Sequence, residues 1–130
     1  MADFQTVKNY AHELQLVVVH EDEAQQFIVV DDEERGIKHL VIDCEDPLLI
    51  FEQVIMDVPT SPGNMFCRLL QMNRTLVHGA FVLTEDAKRV LFRDTLCIEH
   101  LDLNEMQGTV EALSLALAEH AAELITLSQS

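Results

Sequence analysis

Thr60-Ser61-Pro62-Gly63-Asn64-Met65-Phe66-Cys67-Arg68-Leu69-Leu70-Gln71-Met72-Asn73-Arg74-Thr75-Leu76, residues 60–76, decides the fold by setting a helix between two runs of strand-like sequence. Ser61 is suited to capping free amides, and Pro62 at the first helical position gives up no hydrogen bond. The helix is therefore expected to run from Pro62 to about Leu76. Its apolar residues Met65, Phe66, Leu69, Leu70, Met72 and Leu76 span an arc of roughly 160° at 100° per residue, wider than a one-sided stripe requires. Two arrangements bury such a helix: it threads the core, or it lies between its own sheet and a second subunit. The second is the expectation carried forward.

Upstream of this helix, Leu16–His20, Phe27–Val30, Ile37–Ile42 and Leu48–Val58 are rich in β-branched residues. Acidic or turn-forming stretches separate them, so they read as an antiparallel meander. Before them, Phe4, Val7, Ala11 and Leu14 recur at the three-to-four spacing of one helix face, with Asp3 as the capping residue. Downstream, Gly79 precedes a hairpin of Ala80–Thr84 and Arg89–Ile98. Asp102 and Glu105 then form a capping-box-like start for a helix reaching about Leu127, with Leu103, Met106, Val110, Leu113, Leu117, Ala121 and Leu124 on one stripe. The predicted architecture is α+β: three helices and an antiparallel, twisted sheet of five to six strands in the order α-ββββ-α-ββ-α.

At 130 residues the chain has the usual size of one domain, and it is read as a single domain over 1–130. Apolar residues make up 48% of it, enough for a core despite a net charge of -15. Twenty-three carboxylates against eight Lys and Arg repel phosphate backbones and anionic lipid, which argues against nucleic acid and membrane surfaces as partners. The N-terminal Met-Ala-Asp-Phe-Gln lacks the basic-then-apolar order of a signal peptide, and no apolar run approaches the ~20 residues of a membrane helix. A cytoplasmic protein is expected. Cys44, Cys67 and Cys97 are odd in number and widely spaced, and they read as reduced, largely buried thiols.

Groups able to carry chemistry do not converge. Six histidines include no His-Glu-x-x-His pair, and no cysteine falls at ligand spacing, so no metal is expected. Asp31-Asp32-Glu33-Glu34-Arg35-Gly36 lacks the ligand spacing of a calcium loop and reads as a solvated turn. Nucleophile elbows and phosphate loops are missing. Neither catalysis nor a cofactor is expected.

What the strands do demand is a partner. Val17-Val18-Val19, Phe27-Ile28-Val29-Val30 and Leu48-Leu49-Ile50-Phe51 are apolar on both faces, whereas a sheet with one solvated face alternates. Three helices cannot cover both sides of such a sheet, so part of this surface is read as reserved for another polypeptide.

Leu69-Leu70-Gln71-Met72-Asn73-Arg74, followed by Gly79-Ala80-Phe81-Val82-Leu83 and a second hairpin strand, resembles the type III secretion chaperone-like superfamily. That superfamily includes the CesT-like Tir chaperones and the YbjN family. The resemblance spans nearly the whole chain through the order of elements. It implies a non-enzymatic homodimer whose middle helix lies at the subunit interface, which points to Met65, Leu69, Met72 and Leu76. It also implies apolar sheet patches holding an extended client segment, for which the matching positions are Val17, Val19, Ile28 and Val30. Four short strands in the first half stand closer to the YbjN pattern, which implies instead a regulatory or stress-associated protein binding a partner without a secretion role.

Overall fold

A computed structural model describes residues 3–129. The Asp3 side chain accepts a hydrogen bond from the Thr6 N–H at 2.9 Å and caps α1 (Phe4–Glu13), which buries Phe4, Val7 and Ala11. Strands β1 (Val17–Asp22), β2 (Phe27–Asp32), β3 (Ile37–Glu45) and β4 (Leu48–Asp57) follow as an antiparallel meander. Helix α2 (Met65–Met72) ends in a 3-10 turn over Asn73–Thr75. The hairpin β5 (Ala80–Leu83) and β6 (Arg89–Cys97) returns beside β4, giving one six-stranded sheet in the order β1-β2-β3-β4-β6-β5. Helix α3 (Leu103–Ser128) closes the chain, its first turn capped by Asp102, which accepts from the Glu105 N–H at 2.8 Å.

The element order is the one read from the sequence, with one shifted boundary. Helix α2 begins at Met65 and not at Pro62, because Gly63 adopts a positive φ of 58° that a right-handed helix does not admit.

All three helices pack on one face of the sheet. Ile28 and Val30 of β2, Leu40 and Ile42 of β3, and Leu49 and Phe51 of β4 meet Phe4, Val7 and Ala11 of α1 and Met106, Val110 and Leu113 of α3. A second cluster joins Phe81 and Val90 of the hairpin to Met65, Leu69 and Met72 of α2 and to Ala116, Leu124 and Leu127 of α3. Burying each large apolar side chain is worth about 1.5–3 kcal/mol, so this layer carries most of the stability. Polar groups inside the layer are satisfied: Gln53 accepts from the Lys38 N–H at 3.0 Å and donates to the Gly36 carbonyl at 3.2 Å, while Thr109 of α3 donates to Asp94 of β6 at 2.7 Å. Ala121, placed on the buried stripe from sequence, is exposed instead, and the inward surface of α3 continues through Ala116 to Leu127.

Candidate interaction surfaces

Helix α2 divides its wide apolar arc in two. Met65, Leu69 and Met72 are buried in the chain's own core and Leu76 is partly buried against it, so the first three offer little surface to a second subunit. This corrects the sequence reading. The adjacent flank, offset by one position, is the open one: Phe66 and Leu70 (70% exposed) face outward, as does Val77 (77% exposed) in the loop beyond the 3-10 turn. Phe66, Leu70 and the edge of Leu69 form one wall of a groove of about 470 Å³, and Ala80, Val82 and Leu83 of β5 form the other.

Asn73 lies at the groove's floor and holds the edge of the sheet. The Phe81 N–H donates to its Oδ1 at 2.7 Å and its Nδ2 donates to the Phe81 carbonyl at 3.2 Å. A side-chain amide thus replaces the strand that β5 lacks on that side. Thr75 donates its hydroxyl hydrogen to the Met72 carbonyl at 2.7 Å, so the 2.9 Å contact with His120 Nε2 leaves the imidazole as donor. The Arg68 guanidinium binds both carboxylate oxygens of Glu123, at 2.5 and 2.8 Å, tying α2 to α3; this contact and its charge hold the Glu123 carboxyl below its ordinary value.

The second surface is the sheet face that no helix covers. Register places Phe27, Asp43 and Ile50 in one row across β2, β3 and β4, and Val29, Val41, Glu52 and Arg93 in the next, across β2, β3, β4 and β6. Val54, Leu91 and Val82 make a third row, across β4, β6 and β5. Val54 is 51% exposed, and the others are half-buried. Glu52 and Arg93 pair at 2.7 Å in the middle of this face. Burial first, then Glu45 and Glu52, push the Asp43 carboxyl up to about 6.

Of the four client-binding positions expected from sequence, Val17 (60% exposed) and Val19 are open, on the edge strand β1. Ile28 and Val30 are fully buried against the helices, which corrects their assignment. Period-2 alternation puts Phe27 and Val29 on the open side in their place. The register of β1 and β2 slips between Val18 and His20, a bulge that twists this edge.

Chemistry-bearing groups stay scattered. Among the described residues, no group of three or more His, Cys, Asp and Glu is placed to hold a metal ion, and no helix is long and apolar enough to cross a membrane. Cys44 is buried, whereas Cys67 and Cys97 are exposed, contrary to the expectation of largely buried thiols. For Cys67 the reason is its place on the outward side of α2.

A family model, CesT_Tir_1, matches residues 1–130. The chain belongs to this family. The CesT_Tir_1 assignment agrees with solved structures of the same fold. YbjN from E. coli is 14% identical, with 93% of this chain and 92% of that chain covered and a TM-score of 0.70. The Yersinia pestis type III secretion chaperone SycH, solved with a fragment of YscM2, is 15% identical over 97% of this chain and 100% of that chain, with a TM-score of 0.59. The ExoU–SpcU heterodimer from the type III secretion system of Pseudomonas aeruginosa contains a chain 17% identical over 69% of this one and 74% of that one, with a TM-score of 0.55. Comparison with curated protein sequences gave no match. At these identities the likeness to the solved structures establishes the fold alone.

Phe66, Leu70, Asn73 and Asp43 were not picked out from sequence for these roles. Phe66 and Leu70 did carry a signal, being four residues apart on the same wide arc.

Proposed function

We propose that the chain is a non-enzymatic, cytoplasmic protein-binding domain of the secretion-chaperone type, which holds an extended client segment on the open face of its sheet. The observation that carries this reading is the row-by-row apolar surface of half-buried Phe27, Val29, Val41, Ile50 and Leu91 with exposed Val54, on a face that no helix covers. Membership in CesT_Tir_1 supports it, as do neighbours solved in complexes such as SycH with YscM2 and ExoU with SpcU. A second copy pairs through the groove between α2 and β5, where Phe66 and Leu70 take the place of the inward residues. The bulged edge β1, with Val17 and Val19, offers the client main-chain pairing beside the open face.

A second reading, a YbjN-like regulatory protein binding a folded partner, is favoured by the TM-score of 0.70 to YbjN over 93% of the chain. One experiment separates the two. The tagged chain is recovered from its native host, each co-purifying protein is produced recombinantly, and binding is measured for its intact form and for its isolated N-terminal segment. Capture of the unfolded segment, abolished by Val54→Asp, supports the chaperone reading. Binding confined to the folded form, and indifferent to Val54→Asp, rejects it.

A further inference from the structure

Asp43 is out of place on an apolar face. It stands cross-strand from Phe27 on β2 and from Ile50 on β4, with Val41 and Glu45 two positions to either side on its own strand. Its Oδ1 is shut off from solvent and has no hydrogen-bond partner. A buried carboxylate oxygen without a donor is unfavourable, and the carboxyl's side-chain contact with Glu45 brings a second acid and no cation. The nearby charges make matters worse, because Glu45 and Glu52 are acidic and Arg93, the cation of the adjacent row, is engaged by Glu52. The position lacks one component, a cation with hydrogen-bond donors, and the chain does not supply it.

We propose that Asp43 receives the Lys or Arg side chain of a client segment lying on the open face, so that the client is read as an extended apolar–basic–apolar pattern. The inference rests on the open face being the client surface. Residues two apart in an extended peptide face the same way, so a segment that crosses the strands with a basic side chain over Asp43 carries its apolar neighbours toward Phe27 on one side and Ile50 on the other. Complementarity favours this occupant over a second copy of the chain, since a net charge of -15 sets carboxylate against carboxylate. Arg fits better than Lys, because its planar fork suits the adjoining carboxyls of Asp43 and Glu45, whereas an ammonium is a point charge.

The test uses labelled peptides Ser-Leu-Ser-Val-Thr-X-Thr-Val-Ser-Leu-Ser with X as Arg, Lys, citrulline or Glu, titrated with the full chain by fluorescence anisotropy at neutral pH and low salt. The Arg peptide is expected to bind about tenfold tighter than the citrulline peptide, the gain of one charge-assisted hydrogen bond. In Asp43→Asn that preference falls to about twofold or less while citrulline binding persists. Ile50→Asp, or Val54→Asp at a position already exposed, removes binding of every peptide. Equal affinity for Arg and citrulline peptides, with Ile50→Asp still abolishing binding, overturns the role of Asp43 and leaves the open-face reading intact. Absence of binding to all peptides, or binding unchanged by Ile50→Asp and Val54→Asp, overturns both.

Discussion

The carboxamide of Asn73 faces the main chain of Phe81 as a neighbouring strand does, accepting from its N–H and donating to its C=O. Phe81 is buried, so water does not replace these bonds when the amide is removed. Asn73→Ala is expected to lower unfolding stability by about 1–3 kcal/mol, the cost of leaving buried backbone groups unpaired. Urea unfolding monitored by circular dichroism measures it, and an unchanged midpoint contradicts the assigned role.

The two flanks of α2 respond differently to the same substitution. Met72 is 2% exposed, so Met72→Glu buries a charge and unfolds the chain. Leu70→Glu alters a 70% exposed position, and its effect on monomer stability is expected to stay within about 0.5 kcal/mol. Light scattering of Leu70→Glu at micromolar concentration should give half the mass of the parent chain. Parent and variant of equal mass would move self-association away from this groove.

Asp43 has a folded-state pKa of about 6, raised above its ordinary value of 3.8 by burial and by Glu45 and Glu52. The folded chain therefore binds this proton more tightly than the unfolded chain does. The resulting stability is fully present below pH 3.8 and is lost as pH rises through 6. Asp43→Asn removes the charged, penalised state, so at pH 7–8 the variant should be more stable than the parent by about 1–2 kcal/mol, after allowance for solvent screening. Thermal unfolding of the two proteins between pH 4 and 8 should converge at the acidic end. Curves that run parallel throughout would show that Asp43 does not titrate in this range.

Thiol chemistry separates the cysteines. Cys67 and Cys97 are exposed, while Cys44 is buried and its thiol is pushed up to about 11 by burial and by the nearby charges of Asp43, Asp3 and Glu45. At mildly alkaline pH a thiol reagent should modify Cys67 and Cys97 promptly and Cys44 only after denaturation. Rapid modification of all three contradicts the burial of β3.

Gly79 precedes β5 at a φ of 72°, and a Cβ there would lie 2.5 Å from the Phe92 ring and 2.9 Å from the Arg93 carbonyl oxygen. Gly79→Ala should destabilise by about 1–3 kcal/mol, and chemical denaturation measures the loss.

Legibility in the sequence followed the strength of each local signal. Helices α1 and α3 and all six strands were readable because capping residues and apolar periodicity agreed. The start of α2 was misplaced because Ser61-Pro62 is a strong helix opening, while the backbone of Gly63 that interrupts it leaves no mark on periodicity. Both faces of β2 are apolar, so Ile28 and Val29 were equally eligible for the open side; only the position of α1 and α3 separates them. The same ambiguity exchanged Met65, Leu69 and Met72 with Phe66 and Leu70. Asp43 and Asn73 were opaque for another reason, since each acquires its role from residues on other elements.

The sealed edge at Phe81 has a consequence for growth. A strand-paired polymer propagates only if each incoming unit exposes an edge equivalent to the one it has just covered. Here Asn73 occupies the outward main chain of Phe81 in the short strand β5 at one end of the sheet, and β1 is the longer edge left to pair. A chain of this kind terminates an assembly and does not extend it, so a protein with a large bare apolar sheet face is kept from becoming the seed of a fibre.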